Sequence, residues 1–400
     1  MINIKKILSL FIFLFVFHMF NKTLNTFIDL RIVIIILGLI ILIYNILEVL
    51  FRKRRLTYKK NEFKNANKIY VVCLFVYIGV FFSNISWGWN GLIRDDNIYK
   101  NLLILNIFNF VSISVIYFNL RKIKINKVVK YIMISGIVLV CSMVLIWAKF
   151  DLSMFVTEGN RLETVGFSVL GINRRISGFS EDPNYTSLNC MIIFYLSRYL
   201  IKDKKKKVIL CGIGIVGYLL SFSKTVFMFI IAIELYNFMK KKCIYSKVYI
   251  LIEKITVASL YIIPVMVVKF DYISFSSSTM IIRYNMWKEA LKLWEKNVLL
   301  GSGLSSARSN FAYSAYHGWY VQTHSTIFQL ISEHGLITFG LFIILLIIMI
   351  KKNYFTDITL LVVGLSITSE IMYLQYIPFM IMIHFLINCV KDTKENYISI

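Results

Sequence analysis

Charge and proline are scarce in this 400-residue chain: only 16% of residues are charged and only three are proline. A soluble domain carries roughly 25% charged residues. The shortage of charge, beside 58% hydrophobic residues and a mean hydropathy of +0.71, therefore excludes a soluble fold. Too little proline rules out a collagen-like chain, and too little polarity rules out disorder. The cysteines number six. Cys73, Cys141, Cys190, Cys211 and Cys389 lie inside apolar runs and Cys243 lies beside a basic cluster, so neither disulfide nor metal spacing is present. Alternation is also missing. Runs such as LFIILLIIMI at 341–350 do not alternate in polarity as membrane β-strands must.

What is present is a succession of apolar stretches long enough to cross a hydrocarbon core as helix, which takes ~20 residues. The fold class is an all-α polytopic membrane bundle, a single integral membrane domain over 1–400. The first stretch, KKILSLFIFLFVFHMF, has no small-x-small cleavage site after it and reads as an uncleaved first span. About twelve spans are expected, near 7–21, 30–51, 69–86, 98–120, 131–148, 184–201, two short ones turning at 221–224, then 248–268, 333–350, 358–373 and 376–390.

The formal net charge is +24, from 45 Lys and Arg against 21 Asp and Glu. In a soluble protein that excess would suggest nucleic acid. Here the basic clusters RKRRLTYKK, RKIKINKVVK, KDKKKK and KKK sit between spans, so they read as cytoplasmic anchors and no nucleic-acid partner is expected. With both termini cytoplasmic, the inner segments hold twice as many Lys and Arg residues as the outer ones, as the positive-inside rule requires. Two outer loops are long, 149–183 and 269–325, and function is sought there.

The first long loop ends in Asn173-Arg174-Arg175-Ile176-Ser177-Gly178-Phe179 and then Asp182-Pro183-Asn184. Two arginines at the outer mouth of a span have two readings: snorkelling to lipid phosphates, or a planar donor fork holding a pyrophosphate. Asp182-Pro183-Asn184 reads as a turn and helix N-cap. Ser221-Phe222-Ser223-Lys224 forms the tip between two short spans, and Lys224 there either anchors the tip or makes a second phosphate contact.

The second long loop opens with Met280, Tyr284, Trp287, Leu291 and Trp294 at helical spacing, an amphipathic interfacial helix over about 279–296. Arg283 shares that stripe, one turn before Trp287, and is either a snorkelling side chain or a ligand for an anionic group. Leu299-Leu300-Gly301-Ser302-Gly303 reads as a turn. His317, His324 and His334 gather near one end of the loop, but their spacing fits no metal set. General-base work suits a neutral imidazole, and His324 is the first choice. Glu333 either orients His324 or His334 or complements a helix N-terminus.

These stretches, in this order, resemble the O-antigen ligase and polymerase superfamily: Arg175-Ile-Ser-Gly-Phe with Pro183-Asn184, the Ser-x-Ser-Lys tip, Arg283 with Trp287, Leu300-Gly-Ser-Gly303, and His324-Ser-Thr with Glu333-His-Gly335. The match covers about 170–340. It departs from the family at the tip, where Lys224 stands in place of the usual arginine and loses the bidentate fork.

The resemblance implies a metal-independent, inverting membrane glycosyltransferase with no cofactor, acting at the outer face of the bacterial cytoplasmic membrane. Its donor and acceptor would be undecaprenyl-diphosphate-linked oligosaccharides, with flippase and chain-length regulator proteins as partners in the bilayer. Arg175, Arg283, Lys224 and Arg174 would hold the diphosphate, His324 would take the acceptor proton, and Glu333, His317 and His334 would support it. Polymerisation of repeat units into surface polysaccharide is the favoured activity. Ligation to lipid A core is the alternative, and a lipid-linked oligosaccharide flippase is the rival from another class. Transporters favour repeated halves and ionisable groups at the bilayer midplane. Here the halves differ and the charges cluster at outer ends, Glu370 being the best counterexample.

Overall fold

A computed structural model describes residues 4–24, 29–52, 64–83, 96–120, 122–156, 162–166, 168–170, 173–180, 182–201, 203–242, 247–272, 278–304, 306–307, 323–350, 357–368 and 377–384. Helices account for nearly all of it: α1 (Ile4–Phe20), α2 (Leu30–Arg52), α3 (Lys64–Ser83), α4 (Asp96–Phe118), α5 (Ile125–Trp147), α6 (Pro183–Leu200), α7 (Lys204–Ser221), α8 (Lys224–Lys242), α9 (Lys247–Lys269), α10 (Ser278–Glu295), α11 (Thr326–Ile350), α12 (Asp357–Thr368) and α13 (377–384). The described part of each expected apolar stretch is mainly helical. Among the described residues, five helical segments are long and apolar enough to cross a membrane: Leu30–Leu50, Tyr99–Phe118, Ile125–Trp147, Leu251–Lys269 and Thr326–Met349. The chain is a multi-pass helical membrane protein.

Exposure follows the solvent. α2 turns Ile36, Ile43, Ile46 and Leu50 outward, and α9 does the same with Leu251, Ile255 and Ile263. In lipid such faces cost nothing, so helix association must come from close packing rather than apolar burial. α6 and α7 show this. A Cβ on Gly214 would stand 2.8 Å from the Cys190 carbonyl oxygen, and a Cβ on Gly217 would meet the Cys190 sulfur. The small residues let the two backbones approach.

Three features differ from the reading of the sequence. First, the loop over 149–183 carries a two-stranded antiparallel hairpin, β1 (Glu163–Val165) and β2 (Arg174–Ile176). Second, α10 lies within the expected bounds, but its stripe is turned against protein, with Tyr284, Trp287 and Leu291 buried. Third, the span expected from 333 begins at Thr326 and is broken at Gly335, where φ is 69° and ψ −176°.

The break is filled by a distant piece of chain. Ser302 and Gly303 donate to the carbonyls of Ser332 and Glu333, and Leu336 and Ile337 donate to those of Val298 and Leu299, at 2.9 to 3.3 Å. The Gly301 and Gly335 backbones touch: a Cβ on Gly335 would collide with the Leu299 carbonyl oxygen, and one on Gly301 would stand 2.5 Å from the nitrogen of Gly335. The Gly-x-Gly turn is therefore a splint for a helix break. Gly335→Ala is expected to lower stability by about 3 kcal/mol, from the left-handed φ and the backbone collision together. Gly340→Ala, which meets nothing within 4 Å, should leave stability unchanged or raise it. Thermal unfolding of the purified protein in detergent distinguishes them, and equal midpoints would contradict the splint.

Candidate functional site

Strand alternation separates the two adjacent arginines. In β2, Arg174 lies opposite Val165 and Arg175 opposite Thr164, so their side chains leave opposite faces of the hairpin. Arg174 is spent on structure. Its Nη1 meets Glu163 Oε2 at 3.1 Å, diagonally across the hairpin, and its Nη2 donates to the Trp147 carbonyl at the end of α5 at 2.9 Å.

Arg175 faces the tip between α7 and α8. Its Nε donates to the Ser221 carbonyl at 2.9 Å and its Nη2 to Asn184 Oδ1 at 3.0 Å. Asn184 Oδ1 also accepts from Ser223 Oγ at 2.8 Å, and the hydroxyls of Ser187 and Ser221 meet at 2.9 Å. Ser168 Oγ lies 3.0 and 3.1 Å from the carbonyls of Leu219 and Leu220. Ser168 and Arg175, from the loop between α5 and α6, thus satisfy carbonyls that α7 leaves open at its end, and a cation there also complements the negative end of the helix dipole. All these hydrogen-bond partners of Arg175 are neutral. Burial lowers its pKa from the ordinary value, and Asp182 acts in the opposite direction.

Asp182 caps α6 as the sequence suggests, accepting the N–H of Asn184 at 2.7 Å with Pro183 opening the helix. It does more than cap. The same carboxylate acts electrostatically on Arg283, whose pKa is also lowered by burial. Arg283 comes from α10, half-buried, with no hydrogen bond or ion pair among the described residues.

One turn further along α10, Trp287 holds the segment that precedes α11. Its Nε1 donates to the Thr323 carbonyl at 2.9 Å, and its ring stacks on Phe328 at 5.0 Å between centroids. Between these anchors sits His324, in the left-handed region with φ 51°, a conformation that a residue with a Cβ rarely adopts. Thr323, Ser325 and Thr326 around it are buried, and His324 alone of the four is partly open. Burial and, second, the Arg283 charge lower its pKa to about 4. At neutral pH its ring carries no charge and offers a lone pair.

Electrostatics therefore ties four side chains from three parts of the chain: Asp182 to Arg175 and Arg283, and Arg283 to His324. Lys224 follows the tip directly, exposed at the first residue of α8, with no hydrogen bond or ion pair among the described residues. A cation at a helix N-terminus is poorly placed unless an anion joins it. Glu333 and His334 are buried inside α11. Glu333 Oε1 accepts the N–H of Ala307 at 3.2 Å and its Oε2 stands 4.0 Å from His334 Nε2, while His334 Nδ1 meets Ser83 Oγ of α3 at 2.7 Å. His317 and Glu370 lie outside the described residues. Asn184, Ser187, Ser221 and Ser223 carry the network around Arg175; Asn184 reads from sequence as part of a cap and Ser221 and Ser223 as part of the tip, while Ser187 is not singled out there. Among the described residues no three His, Cys, Asp or Glu side chains group as a metal site would.

A histidine with a lowered folded pKa binds its proton later than the unfolded chain does. Its contribution to stability is thus full above about 6.5 and is lost as the pH falls toward 4. The loss amounts to about 3 kcal/mol and should vanish in His324→Gln, measured as the pH dependence of chemical unfolding. Arg283→Gln should move the histidine's titration upward, and an unmoved titration would separate the two residues.

No curated protein and no solved structure matches the chain. A family model does, over the segment from the first turn of α7 to the middle of α11, which carries Lys224, Arg283, His324, Glu333 and His334. Residues 208–343 match the family described as O-antigen ligase.

Proposed function

We propose that this chain is an integral-membrane glycosyltransferase that polymerises undecaprenyl-diphosphate-linked oligosaccharide repeat units into surface polysaccharide at the outer face of the bacterial cytoplasmic membrane. In this reading about twelve helices cross the bilayer, both termini are cytoplasmic, and the loops at 149–183 and 269–325 face outward. The observation that carries it is the electrostatic coupling of Arg175, Asp182, Arg283 and His324: one carboxylate acts on both arginines, and Arg283 acts on a neutral imidazole.

The chemistry follows from those groups. The acceptor hydroxyl gives its proton to His324 as its oxygen bonds to the anomeric carbon of the donor sugar. The bond from that carbon to the diphosphate oxygen breaks on the opposite side, which inverts the configuration and releases the lipid diphosphate. Arg175, Arg283 and Lys224 stabilise the charge gathering on the leaving group, as fixed cations do in a water-poor site. Arg174 is tied to Glu163 and the end of α5, so it acts by holding the hairpin. Glu333 and His334 act through the packing around the break in α11.

Arg283 and His324 give the site an internal order of events. Burial first and the Arg283 charge second make the imidazole a weak base, with a pKa of about 4. A bound diphosphate that neutralises the arginine removes the smaller of these two causes, so the base strengthens somewhat once donor is in place. Ligation to lipid A core is the second reading, favoured by the description of the matching family.

Purified protein with a synthetic lipid-diphosphate repeat unit tests these statements. Polymer forming without a second acceptor, and undiminished by a chelator, supports the polymerase; transfer only when lipid A core is added supports the ligase; lipid movement without bond formation would overturn both. His324→Ala should lower the rate at least 100-fold, the low end of what a general base contributes. Arg283→Ala should also abolish extension, with normal membrane insertion in each case. Undiminished polymer length in the His324 variant removes the base. Donor should raise the apparent pKa of His324 in the pH profile of kcat relative to that of kcat/KM.

A further inference from the structure

The opposite end of α5 carries a second cluster of cations. α1 and α5 begin together: Ser9 Oγ and Tyr131 Oη meet at 2.5 Å, and two adjoining hollows of about 410 and 420 Å³ share Lys5, Ser9, Lys127 and Tyr131 as walls. Lys122 and Lys124 complete the larger one. Along α5, Lys127 and Trp147, whose carbonyl Arg174 binds, are about 30 Å apart, the thickness of a hydrocarbon core. The hollows therefore lie at the membrane surface opposite the candidate active site.

The charged side chains that line the two hollows are all lysines. Lys122 meets Glu48 of α2 at 3.3 Å. Lys6, Lys124 and Lys127 are exposed and have no hydrogen bond or ion pair among the described residues. Ammonium groups converging on one cleft repel one another unless an anion sits between them. The cleft is also graded: lysines at its rim, the two hydroxyls on its floor, and Leu8 and Ile12 beyond them toward the membrane interior. An inorganic anion needs only the rim. A phosphodiester attached to acyl chains uses all three levels, and basic pockets between spans hold anionic headgroups in this way.

We propose that the cleft between the N-terminal ends of α1 and α5 is a binding site for the phosphate headgroup of an anionic phospholipid, in the leaflet opposite the candidate active site. Lys5, Lys124 and Lys127 contact its phosphate oxygens, whichever of the Ser9 and Tyr131 hydroxyls accepts from the other donates to an ester oxygen, and one acyl chain follows the apolar wall of α1.

The test uses the full chain in nanodiscs of phosphatidylcholine doped with phosphatidylglycerol, with retained lipid measured by mass spectrometry after detergent extraction. The double variant Lys5→Gln, Lys127→Gln should retain phosphatidylglycerol roughly thirtyfold less, as loss of two interfacial lysines predicts. Lys204→Gln with Lys205→Gln, which removes the same charge at the start of α7, should retain it as wild type does. Ser9→Phe fills the floor without changing charge and should also release the lipid. Equal loss from both lysine pairs, or retention unchanged in the first pair and in Ser9→Phe, would overturn the site. Displacement of the lipid from wild type by excess inorganic phosphate would show a free-anion site instead and would overturn it equally.

Discussion

A helix broken inside a membrane must find new partners for the backbone groups it releases, because lipid supplies none and each unsatisfied group costs several kcal/mol. In this protein the partner is the stretch 298–303, whose backbone lies across the break at Gly335. Four backbone bonds and two touching glycines hold the start of the loop after α10 against α11. Everything around the candidate base depends on that junction. It sets where α10 ends, and hence where Arg283 and Trp287 stand relative to the residues that open α11. Glu333 adds a side-chain bond to the N–H of Ala307 on the same loop, so the break has a further brace.

The cations are arranged by equally local means. Three paired residues of β-strand suffice to send Arg174 and Arg175 in opposite directions, one to the end of α5 and one to the end of α7. Arg175 then joins the hairpin to the α7–α8 tip and to the first turn of α6, so three elements share one guanidinium. Its charge meets only neutral acceptors directly. Asp182, already engaged as a cap, is the one carboxylate shown acting on it, and it acts on Arg283 as well. Among the described residues, one partly committed carboxylate thus acts on two arginines, and the three groups together carry a net positive charge.

Much of this was legible in the residues. Apolar runs bounded by basic clusters located the helices to within a few positions, since length and hydrophobicity are what a bilayer selects. Asp182-Pro183 announced the start of α6, and the spacing from Met280 to Trp294 announced α10. The hairpin was not legible, because strands of three residues carry almost no periodicity. Nor was the break: Glu333-His334-Gly335 lies inside an apolar run that reads as continuous helix, and its partner lies more than thirty residues earlier in the chain. The difference between Arg174 and Arg175 was hidden for the same reason, since it exists only once β1 and β2 have paired. The stripe on α10 was read correctly as a face, but its neighbour was protein rather than lipid. Periodicity reports a face and says nothing of what covers it.

The bonds across the break also fix how the region opens. The amides of Ser302, Gly303, Leu336 and Ile337 sit in two segments far apart in sequence, yet each segment donates to the other. Neither can be exposed to solvent alone. These four hydrogens should therefore belong to one cooperative exchange unit, leaving together when the loop lifts and protected together when it returns. The sequence neighbours of His324 inherit the lifetime of that closed state.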